Sequence, residues 1–454
     1  MKKERVFRKR KAPVSISRII ALAFLALILI GTLLLNIPAA SRNGRSAGFM
    51  KALFTATSAT CVTGLVLADT WSQWSNFGQL IIICMIEIGG LGFMSAASMA
   101  FFMFRRKISL QQQMVMAEAI GATSMGDVIA MQKKLLKRSL ALEAAGGLVL
   151  TAKFAGEYSL PLAVKLGFFH SISAFCNAGF DVLGFRGAGG SLYTYRTDPV
   201  ICLTLAALII TGGLGFLVWD EVIRKKSLKK LSVYAKLVLI TSAALIFGGM
   251  AVFCLVEWNN PDTIGRMNTW EKLLAAFFQS VTLRTAGFAA VDQGRLTAAG
   301  KAVSIFLMLI GGSSGSTAGG LKTVTFVVLL MFIWNRIRGR KTVSVFNRSI
   351  DNEHVMNAIT IFMIMVLLSY TGAVVISSTS AVGLADALYE TVSAIGTVGL
   401  TTGITPELSL PGKLLIIVFM YFGRVGVLTI SFGFLRNSPA GQKFKYARTD
   451  LMIG

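Results

Sequence analysis

Four glycines recur in one setting. Gly64, Gly179, Gly287 and Gly399 stand in Thr63-Gly64-Leu65, Ala178-Gly179-Phe180, Ala286-Gly287-Phe288 and Val398-Gly399-Leu400, each closing a short apolar segment. About 25–33 residues later, each is followed by a Gly-rich stretch inside a long hydrophobic run. Glycine adopts φ > 0 without steric cost, so the backbone there can turn successive carbonyls to one side. The chemistry this offers is cation dehydration. Carbonyl oxygens of Val62-Thr63, Asn177-Ala178, Thr285-Ala286 and Thr397-Val398 are the expected ligands that replace the water shell of a permeating ion. One such loop signifies little, but four at matching places imply four quarters of one pore.

Other chemistries find less support. The five cysteines (Cys61, Cys84, Cys176, Cys202, Cys254) contain no CxxC pair, so neither a disulfide framework nor a zinc site is expected. With two histidines, His170 and His354, a metal cluster is not expected either. Cys61 and Cys176 share the position three residues before their glycines and read as small packing residues of related repeats. Gly315 and Gly320 are spaced as in a phosphate-binding loop, but Leu321 separates Gly320 from Lys322 where the pattern demands an adjacent lysine. No organic cofactor is expected, and no convergent nucleophile, acid–base pair or metal set suggests an enzyme.

The elements that position these loops belong in a membrane. The chain of 454 residues is 54% hydrophobic, with mean hydropathy +0.68. Many stretches reach the roughly 20 residues that cross a hydrocarbon core. The net charge of +24 clusters at the N-terminus (Lys2 to Arg18), at Arg105-Arg106-Lys107 with Lys133 to Arg138, at Arg224 to Lys230 and at Arg336 to Lys341. That pattern follows the positive-inside rule, places both termini in the cytoplasm and makes nucleic acid an unneeded partner. The apolar run Ile19 to Leu35 exceeds a signal-peptide core and reads as a retained first helix.

The runs group as outer helix, short re-entrant helix, loop and inner helix. The first group is 18–36, 47–59, 60–68 and 77–104; the second is 137–156, 162–174, 175–184 and 198–223. The third is 233–257, 270–281, 282–292 and 300–338; the fourth is 355–379, 385–394, 395–403 and 411–435. The short segments are too short to span and must dip in and return, lining a cavity or buried in protein. Two spans per group give all four the same orientation, unlike the inverted repeats of many secondary transporters. The expected fold is all-α: eight transmembrane helices in four parallel helix–loop–helix repeats around a pseudo-fourfold pore. Its parts are a basic N-terminus (1–17), pore repeats at 18–110, 111–230, 231–340 and 341–435, and a cytoplasmic tail (436–454).

The inner helices carry Gly89-Gly90-Leu91-Gly92, Gly212-Gly213-Leu214-Gly215, Gly312-Ser313-Ser314-Gly315 and Gly423-Arg424-Val425-Gly426 at equivalent places. In the first two, small residues suit close helix packing. In the third they open a Gly/Ser break, Gly311, Gly312, Ser313, Ser314, Gly315, Ser316, Thr317, Ala318, Gly319 and Gly320, which Lys322 can hold by hydrogen bonds. Arg424, inside an apolar helix, faces a cavity or the bundle interior. It reads as an electrostatic barrier or partner of that break, or as an ion-pair partner of Glu87. Arg284 should point away from the ion path, with Glu390 as a candidate partner. Asp69 and Asp292 add negative potential at the outer mouth or are simply solvated.

The segments TSATCVTGL, ISAFCNAGF, SVTLRTAGF and VSAIGTVGL resemble the filter loops of the Trk/Ktr/HKT superfamily of potassium transporters. The stretch from Gly311 to Thr323 is similar to the broken third inner helix of the Ktr and Trk members. The resemblance covers residues 18 to 435 and is closest to the Ktr membrane-subunit (KtrB) branch. It implies inward potassium conduction in a bacterial cytoplasmic membrane through one filter glycine per repeat, gated by an intramembrane loop at 311–320 with Arg424. It also implies sodium dependence, homodimeric assembly and a cytosolic nucleotide-binding regulatory ring of KtrA type, besides contact with membrane lipids. A Trk-type potassium or sodium transporter subunit is the alternative, ahead of an unrelated solute transporter.

Overall fold

The computed structural model describes residues 16–92, 128–187, 191–340, 342–346 and 348–426. Within these the chain is helical apart from short 3-10 turns and one strand pair, Ser344–Val345 antiparallel to Arg348–Ser349. The N-terminal basic residues Lys2 to Lys11, Arg105-Arg106-Lys107, the stretches 93–104 and 427–435 of the expected inner helices and the tail from 436 lie outside the described residues.

Long helices occupy Ile16–Leu35, Val128–Phe154, Val233–Glu257 and Asn352–Thr379. Each is followed by a short one: Phe49–Thr60, Leu160–Phe175, Thr269–Thr282 and Leu384–Ile395. The short helices match the expected ranges within two residues. Local chemistry sets their starts: Asn268 and Glu271 form a reciprocal capping box, and Pro161 occupies the first turn of Leu160–Phe175.

The inner helices differ from expectation. They begin at side-chain caps, with Ser75, Asp198, Thr297 and Ser409 each accepting from a backbone N–H of the first turn. They do not run on as single spans. Asn76–Leu91 ends at Gly92 (φ 85°) and Leu410–Val425 at Gly426 (φ 92°). Pro199–Gly213 breaks at Gly215 (φ 86°), and Phe216–Lys225 leaves at 97°. Ala298–Leu309 and Thr323–Ile337 flank an irregular segment. Glycines with positive φ and extended ψ (139°, 139° and 128°) at three equivalent places stop the helix, because that backbone leaves the i−4 ladder and is open to a residue without Cβ. Among the described residues, three helices are therefore long and apolar enough to cross a membrane alone: Arg18–Leu35, Val233–Glu257 and Asn352–Thr379. The bent pair makes a fourth. All three turn apolar side chains outward, Leu33, Leu255 and Leu367 among them, as suits a lipid surroundings.

Glycines bring the inner helices against the ends of the short ones. A Cβ on Gly89 would lie 2.0 Å from the Thr60 carbonyl oxygen. On Gly212 it would lie 2.0 Å from that of Phe175, and on Gly423 2.2 Å from that of Ile395. Close packing thus accounts for these glycines in the first, second and fourth groups alike.

Candidate functional site

Each short helix ends in the same unusual backbone. Val62, Asn177, Thr285 and Thr397 have φ of 55°, 57°, 69° and 51°, and the glycines two residues on have φ of 100°, 67°, 81° and 91°. The residue between them keeps negative φ. This alternation swings successive carbonyls to one side, where an ordinary extended strand would alternate them. Three of the four non-glycine positions are β-branched, for which the left-handed region costs about 1–3 kcal/mol each.

The cost is offset by bonds that leave the chain no other course. In the first, second and fourth loops the two N–H groups after the helix close a Schellman turn. Val62 N donates to Ala59 O (3.2 Å) and Thr63 N to Ser58 O (2.8 Å), with the same pattern at Asn177-Ala178 and Thr397-Val398. A buried hydroxyl completes each loop. Ser58 and Ser393 accept from the N–H of Gly64 and Gly399 (3.0 and 3.1 Å). Ser173 and Thr282 donate to the carbonyls of Phe180 and Phe288 (2.7 and 2.8 Å). The third loop is wound differently: Ala286 N bonds Thr282 O, four residues back rather than five.

The four loops meet in a ring. A Cβ on Gly64 would lie 2.6 Å from the Ala178 carbonyl oxygen, and on Gly179 2.7 Å from that of Ala286. On Gly287 it would lie 2.5 Å from that of Val398, and on Gly399 1.9 Å from that of Thr63. Each glycine therefore faces the carbonyl before the next loop's glycine, in the order one, two, three, four, one. No side chain fits at these places. The partially negative C-termini of the four short helices run into the loops, which favours positive charge there. Thr63, Thr285 and Thr397 bury hydroxyl oxygens that have no hydrogen-bond partner within the protein.

The Gly/Ser segment is pressed against this ring. Its base is pinched by a parallel bridge between Ile310 and Leu321. Its tip hangs on the break in the second inner helix: Ser313 N donates to Gly213 O (3.0 Å), Thr317 N to Gly212 O (3.2 Å) and Phe216 N to Gly315 O (2.9 Å). The Thr317 hydroxyl donates to Phe175 O (3.0 Å), at the end of the second short helix. A Cβ on Gly319 would lie 2.0 Å from the Thr397 hydroxyl. Lys322 Nζ donates to Ala318 O (2.8 Å), within the segment itself. Arg424 donates to Thr317 O from one side of its guanidinium, and to Gly89 O and Gly90 O (2.8 Å for the latter) from the other.

The family model for TrkH, a cation transport protein, matches residues 8–446. The chain belongs to this Trk/Ktr family. It is 40% identical to the potassium/sodium uptake protein NtpJ of Enterococcus hirae, over 100% of this chain and 99% of that protein. It is 36% identical to the Ktr system potassium uptake protein B of Bacillus subtilis, over 94% of each, and 37% to that of Vibrio alginolyticus, over 98% and 97%. The crystal structure of the potassium transporter TrkH from Vibrio parahaemolyticus superposes with TM-score 0.71 at 16% identity, covering 94% of this chain and 86% of that one. The family is one of transporter membrane subunits, not of enzymes, and the shared fold is helical.

Within this Trk/Ktr chain several expected pairings are not formed. Arg424 does not reach Glu87: carbonyl oxygens, not a carboxylate, hold the guanidinium. Arg284 turns away from the ring, but toward Ser242 (3.3 Å) and Gly311 O (3.5 Å) instead of Glu390. Glu390 is taken by the hydroxyls of Thr401 (2.8 Å) and Thr405. Asp69 caps the helix Thr70–Gln73 through Ser72 N (2.8 Å), and Asp292 accepts from Gly294 N (2.9 Å) beside Arg295. Sequence reasoning missed the four supporting hydroxyls, although three of them stand six residues before their glycines. It also missed a buried brace behind the third and fourth loops, where Gln279 and Gln293 exchange hydrogen bonds (2.7 and 3.2 Å) and Tyr389 donates to Gln293 (2.9 Å).

Proposed function

We propose that this chain is the ion-translocating subunit of a potassium uptake system, conducting K+ inward through the ring of the four glycine loops. The observation that carries the reading is the closed order of contacts, each glycine against the carbonyl before the next. Carbonyls of Val62-Thr63, Asn177-Ala178, Thr285-Ala286 and Thr397-Val398 are the ligands that stand in for water. One filter glycine per quarter offers fewer carbonyl layers than a two-glycine filter. Likeness to a potassium/sodium uptake protein therefore favours, as a second reading, a pore that also admits Na+.

In this reading the four groups are the repeats 18–110, 111–230, 231–340 and 341–435, with eight membrane passages, several of them broken, and both termini in the cytoplasm of a bacterium. The segment 311–320 is the gate and Arg424 its latch. A separate cytosolic nucleotide-binding regulator, sodium dependence and homodimeric assembly belong to the same proposal, supported by likeness to Ktr system proteins.

The test is complementation of a potassium-uptake-deficient bacterium, with and without a candidate regulator, comparing wild type, Gly287→Ser and Arg424→Ala. Wild type should restore growth and rubidium uptake, and Gly287→Ser should lose preference for K+ over Na+. Failure of wild type even with the regulator supplied would refute the reading.

A further inference from the structure

Glu87 lies half-buried on the helix Asn76–Leu91, and Arg424 leaves it without a basic partner. Its carboxylate turns instead to Cys176, whose thiol donates to Glu87 Oε2 over 3.4 Å. Glu143, from Val128–Phe154, closes the group. One oxygen from each glutamate and the Cys176 sulfur all lie within 4.8 Å of one another. The sequence suggested no metal cluster because these residues come from three separate elements, without histidine and without short spacing.

Among the described residues, no basic side chain lies within ion-pair distance of either carboxylate. Glu143 is 3% exposed, and its Oε1 and that of Glu87 have no hydrogen-bond partner. Two facing carboxylates out of water need a shared proton or a cation between them. A sulfur beside the two oxygens decides which cation suits. Thiolate with carboxylate is a set for borderline or soft divalent ions, whereas Mg2+ and Ca2+ take oxygen alone. Metal–sulfur and metal–oxygen bonds of about 2.3 and 2.0–2.2 Å require the ligand atoms to draw somewhat closer, which side-chain rotation supplies.

We propose that Glu87, Glu143 and Cys176 form a buried site for a soft divalent cation such as Zn2+ or Cd2+. Binding sends two protons to solvent, the Cys176 S–H proton and the one that the two carboxyl groups share in the ion-free site, and leaves thiolate and two carboxylates on the ion, with one coordination position open. The site straddles two anchors of the Gly/Ser segment. Cys176 follows Phe175, whose carbonyl receives the Thr317 hydroxyl, and Glu87 precedes Gly89, whose carbonyl receives Arg424. An ion there ties together two of the walls on which that segment hangs. The inference does not depend on which ion is transported.

The test uses the full chain in lipid nanodiscs, titrated with Cd2+ and read by thiolate-to-metal charge-transfer absorption in the ultraviolet. Wild type, Cys61→Ser and Cys84→Ser should each show the band, saturating at about one equivalent per chain, with Zn2+ competing. Cys176→Ser should lose it, and Glu143→Gln, whose fold is checked by monodisperse elution, should weaken Cd2+ binding at least about tenfold. An undiminished band in Cys176→Ser, its loss in Cys84→Ser, unchanged affinity in Glu143→Gln or no band in wild type would overturn the site.

Discussion

A methyl group at Gly399 would sit 1.9 Å from the Thr63 carbonyl oxygen, the tightest approach in the ring. Overpacking of this kind costs about 1–3 kcal/mol. At about 1.4 kcal/mol per tenfold, Gly399→Ala should lower rubidium uptake or K+ over Na+ preference by about ten- to a hundredfold. Gly403, also left-handed but with nothing within 4 Å, is the control, since strain without a clash should leave ion preference unchanged. Equal losses at both positions would refute the ring contact as the cause. A second residue-level outcome concerns Asp181, half-buried near the end of the second loop, where burial and then the nearby Asp69 carboxylate push its carboxyl above the ordinary range. A raised carboxyl becomes neutral as pH falls, so, in the proposed reading of the ring as the ion path, mild acid should remove a negative charge two residues beyond Gly179 and raise the KM for rubidium. Asp181→Asn should already show the higher KM at neutral pH and lose that pH dependence; an unaltered profile would exclude Asp181 as its origin. The glycines were legible in the sequence because glycine is the residue that backbone strain selects. The left-handed backbone at Val62, Thr285 and Thr397, whose carbonyls the sequence did point to, was not, because no propensity points a β-branched residue to that region.

At the scale of elements, the Gly/Ser segment is fastened mainly by backbone groups and small hydroxyls. Such fastening is numerous but individually weak, about 0.5–1.5 kcal/mol per bond net, while a charged donor contributes about 1.5–3. Arg424 is the strongest single tie, so Arg424→Ala should raise rubidium uptake measured without a regulator several-fold. Arg424→Lys, a single-point donor in place of a planar fork, should fall between the two. Deleting residues 313–318 should raise uptake further, and unchanged flux in all three would dispose of the segment as a gate. The sequence marked this segment and Arg424 as departures from symmetry, but it suggested a carboxylate as a possible partner of the arginine. Backbone carbonyls carry no residue identity, so a guanidinium that binds them leaves no trace in the pattern. The bend at Gly215 and the helix ends at Gly92 and Gly426 were hidden for a related reason: hydropathy does not register a backbone turn that leaves polarity unchanged.

For the whole molecule, the proposed topology, supported by the placement of positive charge, puts both ends of this sequence in the cytoplasm. A fluorescent protein fused after Gly454 should therefore glow, while alkaline phosphatase at the same point should stay inactive; the reverse pair of results would invert the proposed topology. Ring closure joins distant parts of the chain. Gly399 completes its contact on Thr63, and Arg424 crosses 335 residues to reach Gly89. At least three quarters of the protein is therefore made before the circle can shut, and the stretch that shuts it also delivers the arginine that hydrogen-bonds the segment at Thr317. If the ring is the proposed filter and Arg424 the proposed latch, a newly made chain acquires both almost together, and a chain cut short before the last quarter has neither.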